Sequence, residues 1–440
     1  MTDKPLLINY NQLHTLWMKW LSQPDTTHFD RWLKREAADW RKRFRETMPL
    51  ELGSAMQHAL RFRQLACALE LIQERGLDQD WQAWAEKWRP MHAEDLARNN
   101  FWFWIQRRSY SQWYIPNDWQ AGSRKTTVDD TANYVRQNPD SPLAYIWYGI
   151  DAALAPAIQR RAQLSGWSDS QRHEFMRMQQ SRPPLWLRAK ASEDQKLLCK
   201  ELQNNGVEVN LNSHGLCATG GFGVPQTEAY KAGRVEIQDF ASQQIAAAVN
   251  AQPGEKIWDA CAGAGGKTLS IADGMKGKGA VVATDLKDYK LTELKKRAKR
   301  AGIANIRTFV WDGSAALRLP AEIARQKGFD KVLIDAPCTA TGTWRRNPDA
   351  RSRLSDNYLN DLQALQQQLL GHACSAVRHG GRLIYATCSW LAEENEDAIE
   401  TFLSHHEDFT LISTQMIGAP DIDSDTMFVA VLEKKEETRG

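Results

Sequence analysis

The sequence predicts a doubly wound, mainly parallel α/β sheet in its second half, preceded by a small α+β unit and an all-helical region. From about residue 240 onward, short apolar runs typical of strands alternate with amphipathic segments, which is the pattern of repeated βα units. These runs lead into acidic or reactive residues, and open α/β sheets place their chemistry at such strand ends. Fourteen of the eighteen tryptophans precede residue 187, so we expect the first part of the chain to be a separate domain.

Residues 1–180 are expected to form a helical, tryptophan-rich domain. Apolar side chains at helical spacing predict one helix around residues 13–21 and a second helix that ends near Gly76. We interpret the tryptophans at helical spacing as core residues. The alternative is that some of them stack on unpaired bases, for which Trp102 and Trp104 are the better candidates.

The middle of the chain changes character twice. Residues 116–142 contain many turn residues, Gly122 among them, and are expected to form a linker or an exposed loop. A helical pattern resumes after them, and residues 181–240 are then expected to form a small α+β unit. Its predicted elements are a strand at 185–188, a helix at 193–204 and a strand around 207–209.

Residues 241–440 are expected to contain the parallel sheet. Apolar runs there are separated by amphipathic segments that would form the helices on both faces of the sheet. The predicted strands cover residues 257–259, 280–284, 306–311, 332–334, 383–386 and 427–432.

Composition limits the classes of protein to which the chain can belong. Its 440 residues are 42% hydrophobic and 25% charged, as in an ordinary soluble globular protein. It has no apolar run of about 18 residues and no secretory signal at its start, so we expect neither a membrane span nor export. Its seven cysteines include no CxxC pair, which argues against a disulfide framework and a zinc ribbon. We therefore expect reduced thiols, no metal, a cytoplasmic location and no obligate protein partner.

Basic residues are clustered although the net charge is only +2. One cluster covers residues 287–300, and another contains Arg41, Lys42, Arg43 and Arg45. Each cluster could be a solvated helix face. Beside a site that modifies a base, the clusters could instead form a phosphate-binding surface.

A glycine-rich turn follows the first predicted strand of the sheet. Its spacing differs from that of a P-loop, and the D-x-x-x-G-x-G form suits the adenosylmethionine loop of Rossmann-like methyltransferases. Asp285, after the next strand, is a candidate to accept hydrogen bonds from ribose hydroxyls, with a helix N-cap as the alternative. Asp312, after the third strand, could contact the adenine amino group. The candidate loop residues are Cys261, Ala262, Gly263, Ala264, Gly265, Gly266 and Lys267.

Two cysteines follow predicted strands, Cys338 in Asp335-Ala336-Pro337-Cys338 and Cys388 in Ala386-Thr387-Cys388-Ser389. Carbon 5 of cytosine is a poor nucleophile, and a thiolate that adds to carbon 6 makes it able to accept a methyl group. Asp335 could hydrogen-bond the ring N3 and the exocyclic amine during this attack. The pair of motifs therefore indicates cysteine-dependent chemistry on a base beside a bound cofactor.

These residues, as an ordered set, resemble the Sun/Nop-type RNA cytosine-5 methyltransferases over roughly residues 181–435. The resemblance implies a Rossmann-like class I methyltransferase domain that uses S-adenosylmethionine, preceded by a small RNA-binding unit. The matching motifs are Pro184–Arg188, Ile237–Ser242, Asp259–Thr268, Asp335–Cys338, Gly342–Asp349, Gly380-Gly381, Ala386–Ser389 and Glu394–Glu396.

The resemblance also implies residue roles. The family's nucleophile corresponds to Cys388, and the cysteine that assists product release corresponds to Cys338. The cofactor loop corresponds to residues 261–267, with Asp285 on the ribose side and Asp312 on the adenine side. Asp335 corresponds to the acid near the methyl donor and the target base.

Departures from the family pattern concern two positions and one region. Ala264 stands where the family usually has proline, which removes a restriction on φ but no ligand group. The first strand of the small unit continues into Ala189-Lys190, where the family usually has an asparagine. The first 180 residues match no motif that we can name, although some family members carry a helical RNA-binding domain there.

We therefore expect an RNA 5-methylcytosine methyltransferase that acts on ribosomal RNA, with transfer RNA as the alternative substrate. The target base would be presented from a loop or extruded from a stack. DNA cytosine methylation is a rival, and the second cysteine, Cys388, argues against it. A further alternative is an inactive RNA-binding ribosome-assembly factor, against which the intact cysteines and glycine loop argue.

Overall fold

The computed structural model describes residues 7–24, 26–109, 114–120, 123–219 and 223–436, with the side chain of residue 125 excepted. The chain folds into two compact units. The first comprises Met1–Arg182 and Trp344–Leu354, and the second comprises Pro183–Thr343 and Ser355–Gly440.

The first unit is helical, as predicted. The longest of its helices is buried along most of its length and ends at Gly76, as the sequence predicts. Side chains cap several of the helices, for example Ser168, which accepts a hydrogen bond from the backbone N–H of Gln171. The helices in its described part are α1 (Tyr10–Leu21), α2 (Phe29–Phe44), α3 (Leu50–Arg75), α4 (Trp81–Lys87), α5 (Arg98–Arg108), α6 (Arg124–Gln137), α7 (Pro142–Trp147), α8 (Ala155–Leu164) and α9 (Asp169–Met178).

One prediction for this unit is wrong, the linker or exposed loop at residues 116–142, and one alternative is not supported, the stacking of Trp102 and Trp104 on bases. Trp102 and Trp104 are fully buried, so they are not available to stack on bases. The indole Nε1 of Trp104 donates to a carboxylate oxygen of Glu70 at 2.6 Å, which satisfies the polar group of this buried ring. Both tryptophans are therefore core residues, which agrees with the interpretation preferred from the sequence.

The segment expected to be a linker, residues 116–142, contains the fourteen-residue helix α6. Its turn residues lie outside the helix, and Gly122 lies outside the described residues. Val128, Thr131 and Val135, at helical spacing, are all buried, and this burial stabilises the helix. Tertiary packing thus outweighs the local turn signals.

Residues 344–354 belong to the first unit although they lie between elements of the second in sequence. A 3₁₀ helix covers Pro348–Arg353. The guanidinium of Arg61 donates to the backbone carbonyl of Arg345 at 2.6 Å, and Nε of Arg345 donates to the carbonyl of Ser181 at 3.0 Å. Buried arginines thus hold this segment within the first unit.

The second unit begins with a small antiparallel sheet in the strand order β2-β3-β1-β4. The predicted strand around 207–209 begins later than expected, at Val209, and two further strands were not predicted. The elements are β1 (Leu185–Ala189), α10 (Gln195–Asn204), β2 (Val209–Asn212), β3 (Gly215–Ala218), α11 (Glu228–Lys231) and β4 (Val235–Ile237).

A seven-stranded sheet follows in the order β10-β11-β9-β8-β5-β6-β7. The five strands from β9 to β7 in this order are parallel, and β10 and β11 pair antiparallel. The elements are α12 (Phe240–Ala248), β5 (Lys256–Asp259), α13 (Gly266–Gly274), β6 (Ala280–Asp285), α14 (Asp288–Arg300), β7 (Ile306–Val310), α15 (Ala321–Arg325), β8 (Phe329–Asp335), α16 (Asp356–Cys374), β9 (Val377–Thr387), α17 (Glu396–His405), β10 (Phe409–Ile417) and β11 (Met427–Lys434).

This arrangement confirms the predicted doubly wound, Rossmann-like fold. The chain leaves β5 toward β6 and β7, and later returns to pair β8 on the other side of β5. Adjacent residues of the central strands are buried on opposite faces: Trp258 and Ile257 in β5 contribute to separate hydrophobic clusters. The order of strands reverses between β5 and β8, and ligands of open α/β sheets bind outside the carboxyl ends of strands at such a point.

Candidate active site

A cavity of about 690 Å³ opens at the carboxyl ends of β5, β6 and β8. It contains nine of the ten predicted cofactor residues and both candidate cysteines, and Gly265 is the one that does not line it. The lining residues are Ser242, Asp259, Ala260, Cys261, Ala262, Gly263, Ala264, Gly266, Lys267, Asp285, Leu286, Lys287, Lys290, Trp311, Asp312, Gly313, Asp335, Ala336, Pro337, Cys338, Leu365, Leu369 and Cys388.

The glycine-rich turn connects β5 to the first turn of α13. Gly263 and Gly265 have φ angles of 56° and 86°, in the left-handed region that favours glycine. A Cβ on Gly265 would lie 2.5 Å from Cγ of Leu294, so this glycine also permits close packing against α14. The turn is held from α14 by Arg297, whose guanidinium donates to the carbonyl of Ala264 at 2.8 Å.

Asp285 ties the end of β6 to this turn. Its Oδ2 accepts from the backbone N–H of Gly263 at 2.9 Å, and its Oδ1 accepts from the N–H of Lys287 at 2.9 Å. The ammonium of Lys290 lies 3.5 Å from Oδ2. The N-cap residue of α14 is Lys287, so the structure does not support the interpretation of Asp285 as that cap.

Asp312 lies two residues beyond the end of β7 and is exposed at the cavity. Its Oδ1 accepts from the backbone N–H and the hydroxyl of Ser314 at 2.9 and 2.7 Å. Hydrogen bonds to the charged form stabilise it, and those from Ser314 lower the pKa of Asp312. Trp311, beside it, also lines the cavity and was not predicted to do so.

Asp259 is a buried carboxylate at the end of β5. Its Oδ2 accepts from the hydroxyl of Thr268 at 2.6 Å, whereas its Oδ1 has no hydrogen-bond partner among the described residues. Burial penalises the charged form and raises the pKa of Asp259 to about 7. A buried acceptor without a partner, beside a cavity, is available to a bound ligand.

Lys267 and Asp335 form an ion pair across the cavity floor, with Nζ donating to Oδ2 at 2.7 Å. Burial alone would lower the pKa of Lys267, but the negative charge of Asp335 outweighs it and the pKa is raised. A negative charge on Cys388 acts in the same direction on the pKa of Lys267. Lys267 thus places a positive charge beside Asp335 and close to Cys388.

The two cysteines meet although fifty positions separate them in sequence. β8 and β9 pair in parallel with Asp335 opposite Ala386, so the segments that follow leave the sheet side by side. Sγ of Cys338 lies 3.3 Å from Sγ of Cys388. The hydrogen bond with Cys388, together with burial, holds the pKa of Cys338 well above its usual range. The two thiols thus lie within hydrogen-bonding distance, and the raised pKa of Cys338 favours its protonated form.

Of the other five cysteines, four do not line the cavity. Cys67, Cys199 and Cys374 are buried, and Cys217 is partly buried. Cys261 lines the cavity, and burial raises the pKa of its thiol.

Within the described ranges, no cluster of His, Cys, Asp and Glu could hold a metal ion. The same residues include no helix long and apolar enough to cross a membrane.

Some lining residues were not predicted from the sequence. Leu365 and Leu369 reach the cavity from α16, and Ser242 from α12. The leucines have helical spacing, which could have placed them on one face of a helix. Nothing in the sequence says that this face borders the site.

The part of the chain that forms most of this cavity is similar to a known protein family. Residues 246–439 match the model described as 16S rRNA methyltransferase RsmB/F. This stretch of the chain is therefore similar to the RsmB/F methyltransferases. The resemblance predicted from the motifs is thereby confirmed. The matched residues include the glycine-rich turn and both cysteines of the cavity.

Curated RsmB relatives show the same similarity. The chain is 32% identical over 271 residues to the ribosomal RNA small subunit methyltransferase B of Yersinia pestis bv. Antiqua (strain Angola), and likewise to that of Yersinia pseudotuberculosis serotype O:3 (strain YPIII). The match covers 58% of this chain and 60% of each relative. The similarity thus spans less than two thirds of the relatives' length.

Solved structures share the fold. A protein named PH0851 is 24% identical, with a TM-score of 0.67, and the match covers 98% of this chain and 100% of that chain. NSun6 from Pyrococcus horikoshii, solved with SFG, is 17% identical, with a TM-score of 0.53 over 64% of this chain and 98% of that chain. A methyltransferase homolog from Pyrococcus horikoshii is 23% identical, with a TM-score of 0.50 over 63% and 99%.

Proposed function

We propose that this protein transfers a methyl group from S-adenosylmethionine to carbon 5 of a cytosine in RNA, and that the substrate is ribosomal RNA. The observation that carries the proposal is the pair of thiols, Cys338 and Cys388, 3.3 Å apart at the edge of the cavity. The names of the curated relatives support ribosomal RNA as the substrate class.

The cavity fits the cofactor in size and in chemistry. Its volume of about 690 Å³ lies within the range of pockets for small molecules and cofactors. The turn at 261–267 would hold the cofactor through backbone groups, Asp285 its ribose and Asp312 its adenine. The unpartnered Oδ1 of Asp259 offers one further acceptor. The fold neighbour NSun6 was solved with SFG, an analogue of S-adenosylmethionine. When bound, S-adenosylmethionine supplies the methyl group.

Cys388 is proposed as the nucleophile. As a thiolate it adds to carbon 6 of the cytosine, forming a C–S bond and making carbon 5 electron-rich. Oδ2 of Asp335 is engaged by Lys267, so we assign Oδ1 as the acceptor of a hydrogen bond from the exocyclic amine of the base. The ion pair with Lys267 fixes this carboxylate, which favours a single orientation of the base.

Cys338 is proposed to assist release. After methylation, the proton on carbon 5 passes to a base, the C–S bond breaks, and its electron pair returns to Cys388. A thiol on Cys338 can donate a hydrogen bond to the departing sulfur across the 3.3 Å gap. The raised pKa of Cys338 keeps this proton in place. The two cysteines therefore have different tasks, attack and release.

The rest of the chain would recognise the RNA. We propose that residues 1–180 form an accessory RNA-recognition domain, that residues 181–240 form a small RNA-binding unit, and that residues 241–440 carry out catalysis. These boundaries would be tested by comparing the RNA affinity of the full chain with that of variants altered on the surface of each part.

Bisulfite sequencing tests the reaction and the substrate together. RNA from cells with and without the gene would be compared across ribosomal and transfer RNAs. Loss of one methylated cytosine in ribosomal RNA, restored by the wild-type gene and not by Cys388→Ala, is the expected result. A site lost only in transfer RNA would replace the substrate. No lost site, together with no calorimetric binding of S-adenosylmethionine, would favour an inactive RNA-binding protein.

A further inference from the structure

Two consecutive buried residues, Glu394 and Asn395, each contact one of the two segments that carry the cysteines. Glu394 accepts a hydrogen bond from the backbone N–H of Thr339 at 2.8 Å and another from the hydroxyl of the same residue. Thr339 directly follows Cys338. Nε2 of Gln366, from α16, also donates to Glu394 at 3.1 Å. The carboxylate thus fixes the segment of Cys338.

Asn395 does the same for the other cysteine. Its Oδ1 accepts from the hydroxyl of Thr387 at 2.6 Å, and its Nδ2 donates to the carbonyl of Ser389 at 2.9 Å. Thr387 and Ser389 are the two neighbours of Cys388. Side-chain polar atoms of Asn395 therefore hold the segment on both sides of the thiol.

Burial makes these contacts costly to lose. Glu394, Asn395, Thr387 and Ser389 are all fully buried. A buried polar group that loses its partner keeps the penalty of its removal from water. Because residues 394 and 395 are joined by one peptide bond, the contacts that fix the two segments come from adjacent positions of the chain. The separation of the two sulfurs is thereby tied to this short turn.

Glu394 also contributes charge. In the described part of the chain it forms no ion pair, so its negative charge is not neutralised by a basic side chain. That charge is one of the causes that raise the pKa of Cys338. It disfavours a second negative charge on Cys338.

We propose that Glu394 and Asn395 are positioning residues that hold the two cysteines at reacting distance, and that Glu394 assigns the shared proton to Cys338. This inference rests on the proposed function, because it explains why attack falls to Cys388. It also gives the two residues different roles. Asn395 orients the attacking segment, and Glu394 orients the releasing segment and favours the protonated form of Cys338.

The test is Glu394→Gln, which retains the shape of the side chain and removes its charge. The readout is the fraction of enzyme held as a covalent RNA adduct that survives denaturing electrophoresis, together with the methylation rate from pH 6 to 10. We expect the adduct fraction to rise and the turnover rate to fall about tenfold, because release is slowed. The pKa of Cys338 should fall, so the alkaline loss of activity should begin at a lower pH.

Control variants distinguish an effect on the position of the cysteines from a loss of folding. A further outcome tests the proposed function separately. Glu400→Gln is the same change at an exposed position of α17 and should match the wild type. Thr339→Val removes one hydrogen bond to Glu394 and should raise the adduct fraction without moving the pH profile. If Glu394→Gln folds poorly, Thr339→Val carries the test. Adduct fractions equal to that of Glu400→Gln would refute the inference. No adduct on Cys388 even in Cys338→Ser, where release is slowed, would instead refute the proposed function.

A separate observation concerns the surface of α2 in the first unit. Five basic residues lie at helical spacing on one face, and all five are exposed. Phe29, Trp32 and Trp40 occupy the buried side of the same helix. The basic face spans about 16 Å at the rise of an α-helix. It consists of Arg31, Lys34, Arg35, Arg41 and Lys42.

The cluster on α14 differs from this face. There Arg297 and Arg300 both pair with Glu236, and Lys290 lies beside Asp285, so three of its basic residues have structural partners. On α2 the pair of Lys42 with Asp39 is exposed, at 3.7 Å, and exposed pairs contribute little. The predicted phosphate-binding surface is therefore better supported on α2.

We infer that the basic face of α2 binds the phosphate backbone of the RNA substrate. This inference also rests on the proposed function, from which it takes the partner. Phosphate contacts release counterions, so binding should weaken with salt, with a slope of about 0.7 for each contact to a single strand. Sequence specificity is not expected from this face.

Arg35→Gln, Arg41→Gln and Lys42→Gln together test the inference on the full-length protein. The magnitude of the slope of log K against log salt for an RNA oligonucleotide should decrease by about 2, because three phosphate contacts are lost. The control variant removes the same number of positive charges at exposed positions elsewhere on the unit, through Arg75→Gln, Lys87→Gln and Arg136→Gln. Its slope should have a larger magnitude than that of the α2 triple variant. Equal slopes in the two triple variants would refute the inference. Loss of binding to anionic vesicles but not to RNA would identify a membrane-binding face instead. The assay involves no methylation, so its outcome is independent of the proposed reaction.

Discussion

Gly342 offers the sharpest test of how the segment of Cys388 is held. Its backbone N–H donates to the carbonyl of Cys388 at 2.9 Å, and its carbonyl accepts from the N–H of Thr426 at 3.0 Å. A Cβ on Gly342 would lie 1.7 Å from the carbonyl oxygen of Thr426 and 3.0 Å from that of Cys388. Both neighbours are backbone atoms, so no side chain can rotate away from the added methyl group.

Gly342→Ala should therefore displace the catalytic segment. To reach even 3.0 Å, the Cβ and the Thr426 oxygen must separate by about 1.3 Å more than the structure allows. Overpacking of this kind costs about 1–3 kcal/mol of stability. A misplacement of about 1 Å costs a reaction about a hundredfold. We expect both effects, in the free energy of unfolding and in the single-turnover methylation rate.

Gly371→Ala is the matched control, because a Cβ on this glycine of α16 would meet nothing within 4 Å. It should leave the rate near that of the wild type and stabilise the protein by about 0.5–1 kcal/mol, since alanine is the better helix former. A Gly342→Ala enzyme with the rate and stability of Gly371→Ala would show that this contact does not hold the site.

Three further predictions concern the cavity and the glycine-rich turn beside it. Burial raises the pKa of Asp259 from 3.8 to about 7. Between pH 3.8 and about 7 the folded protein therefore holds a proton on Asp259 that the unfolded chain has lost. As a result, the free energy of unfolding falls as the pH rises through this window. Asp259→Asn should reduce this fall by on the order of 4 kcal/mol, measured by urea titrations at pH 4 and 7. Asp285→Ala should weaken S-adenosylmethionine binding by about tenfold or more in calorimetry, which is about 1.4 kcal/mol, whereas Asp288→Ala should not. Gly265→Ala should lower the unfolding free energy by about 1–3 kcal/mol, because its Cβ would lie 2.5 Å from Leu294.

The parallel sheet could be predicted because each of its strands is a short apolar run that leads into a polar residue. Asp259, Asp285 and Asp335 mark three of these strand ends. β10 gave no such signal, because it is an edge strand whose residues are mostly exposed. Nor did α6, which is flanked by turn residues and is stabilised by its buried Val128 and Val135.

The sequence indicates which residues form the candidate site, but it does not indicate how they are arranged. Cys338 and Cys388 each follow a strand, but their separation depends on the register of β8 against β9, which the sequence does not state. The contacts of Glu394 and Asn395 depend on how the chain turns back after Cys388. The buried hydrogen bond from Gln366 requires α16 to pack beside that turn. These are tertiary facts, and single-sequence patterns report mainly local ones.

The most direct test of the account compares Cys338→Ser with Cys388→Ser on the same RNA substrate. After incubation with S-adenosylmethionine, each enzyme is resolved by denaturing electrophoresis, and the covalent protein–RNA adduct is measured. The account predicts that the adduct accumulates in Cys338→Ser, where attack proceeds and release is slowed, and is absent in Cys388→Ser, which has lost the nucleophile. Accumulation in Cys388→Ser with none in Cys338→Ser would reverse the assigned roles and contradict the account.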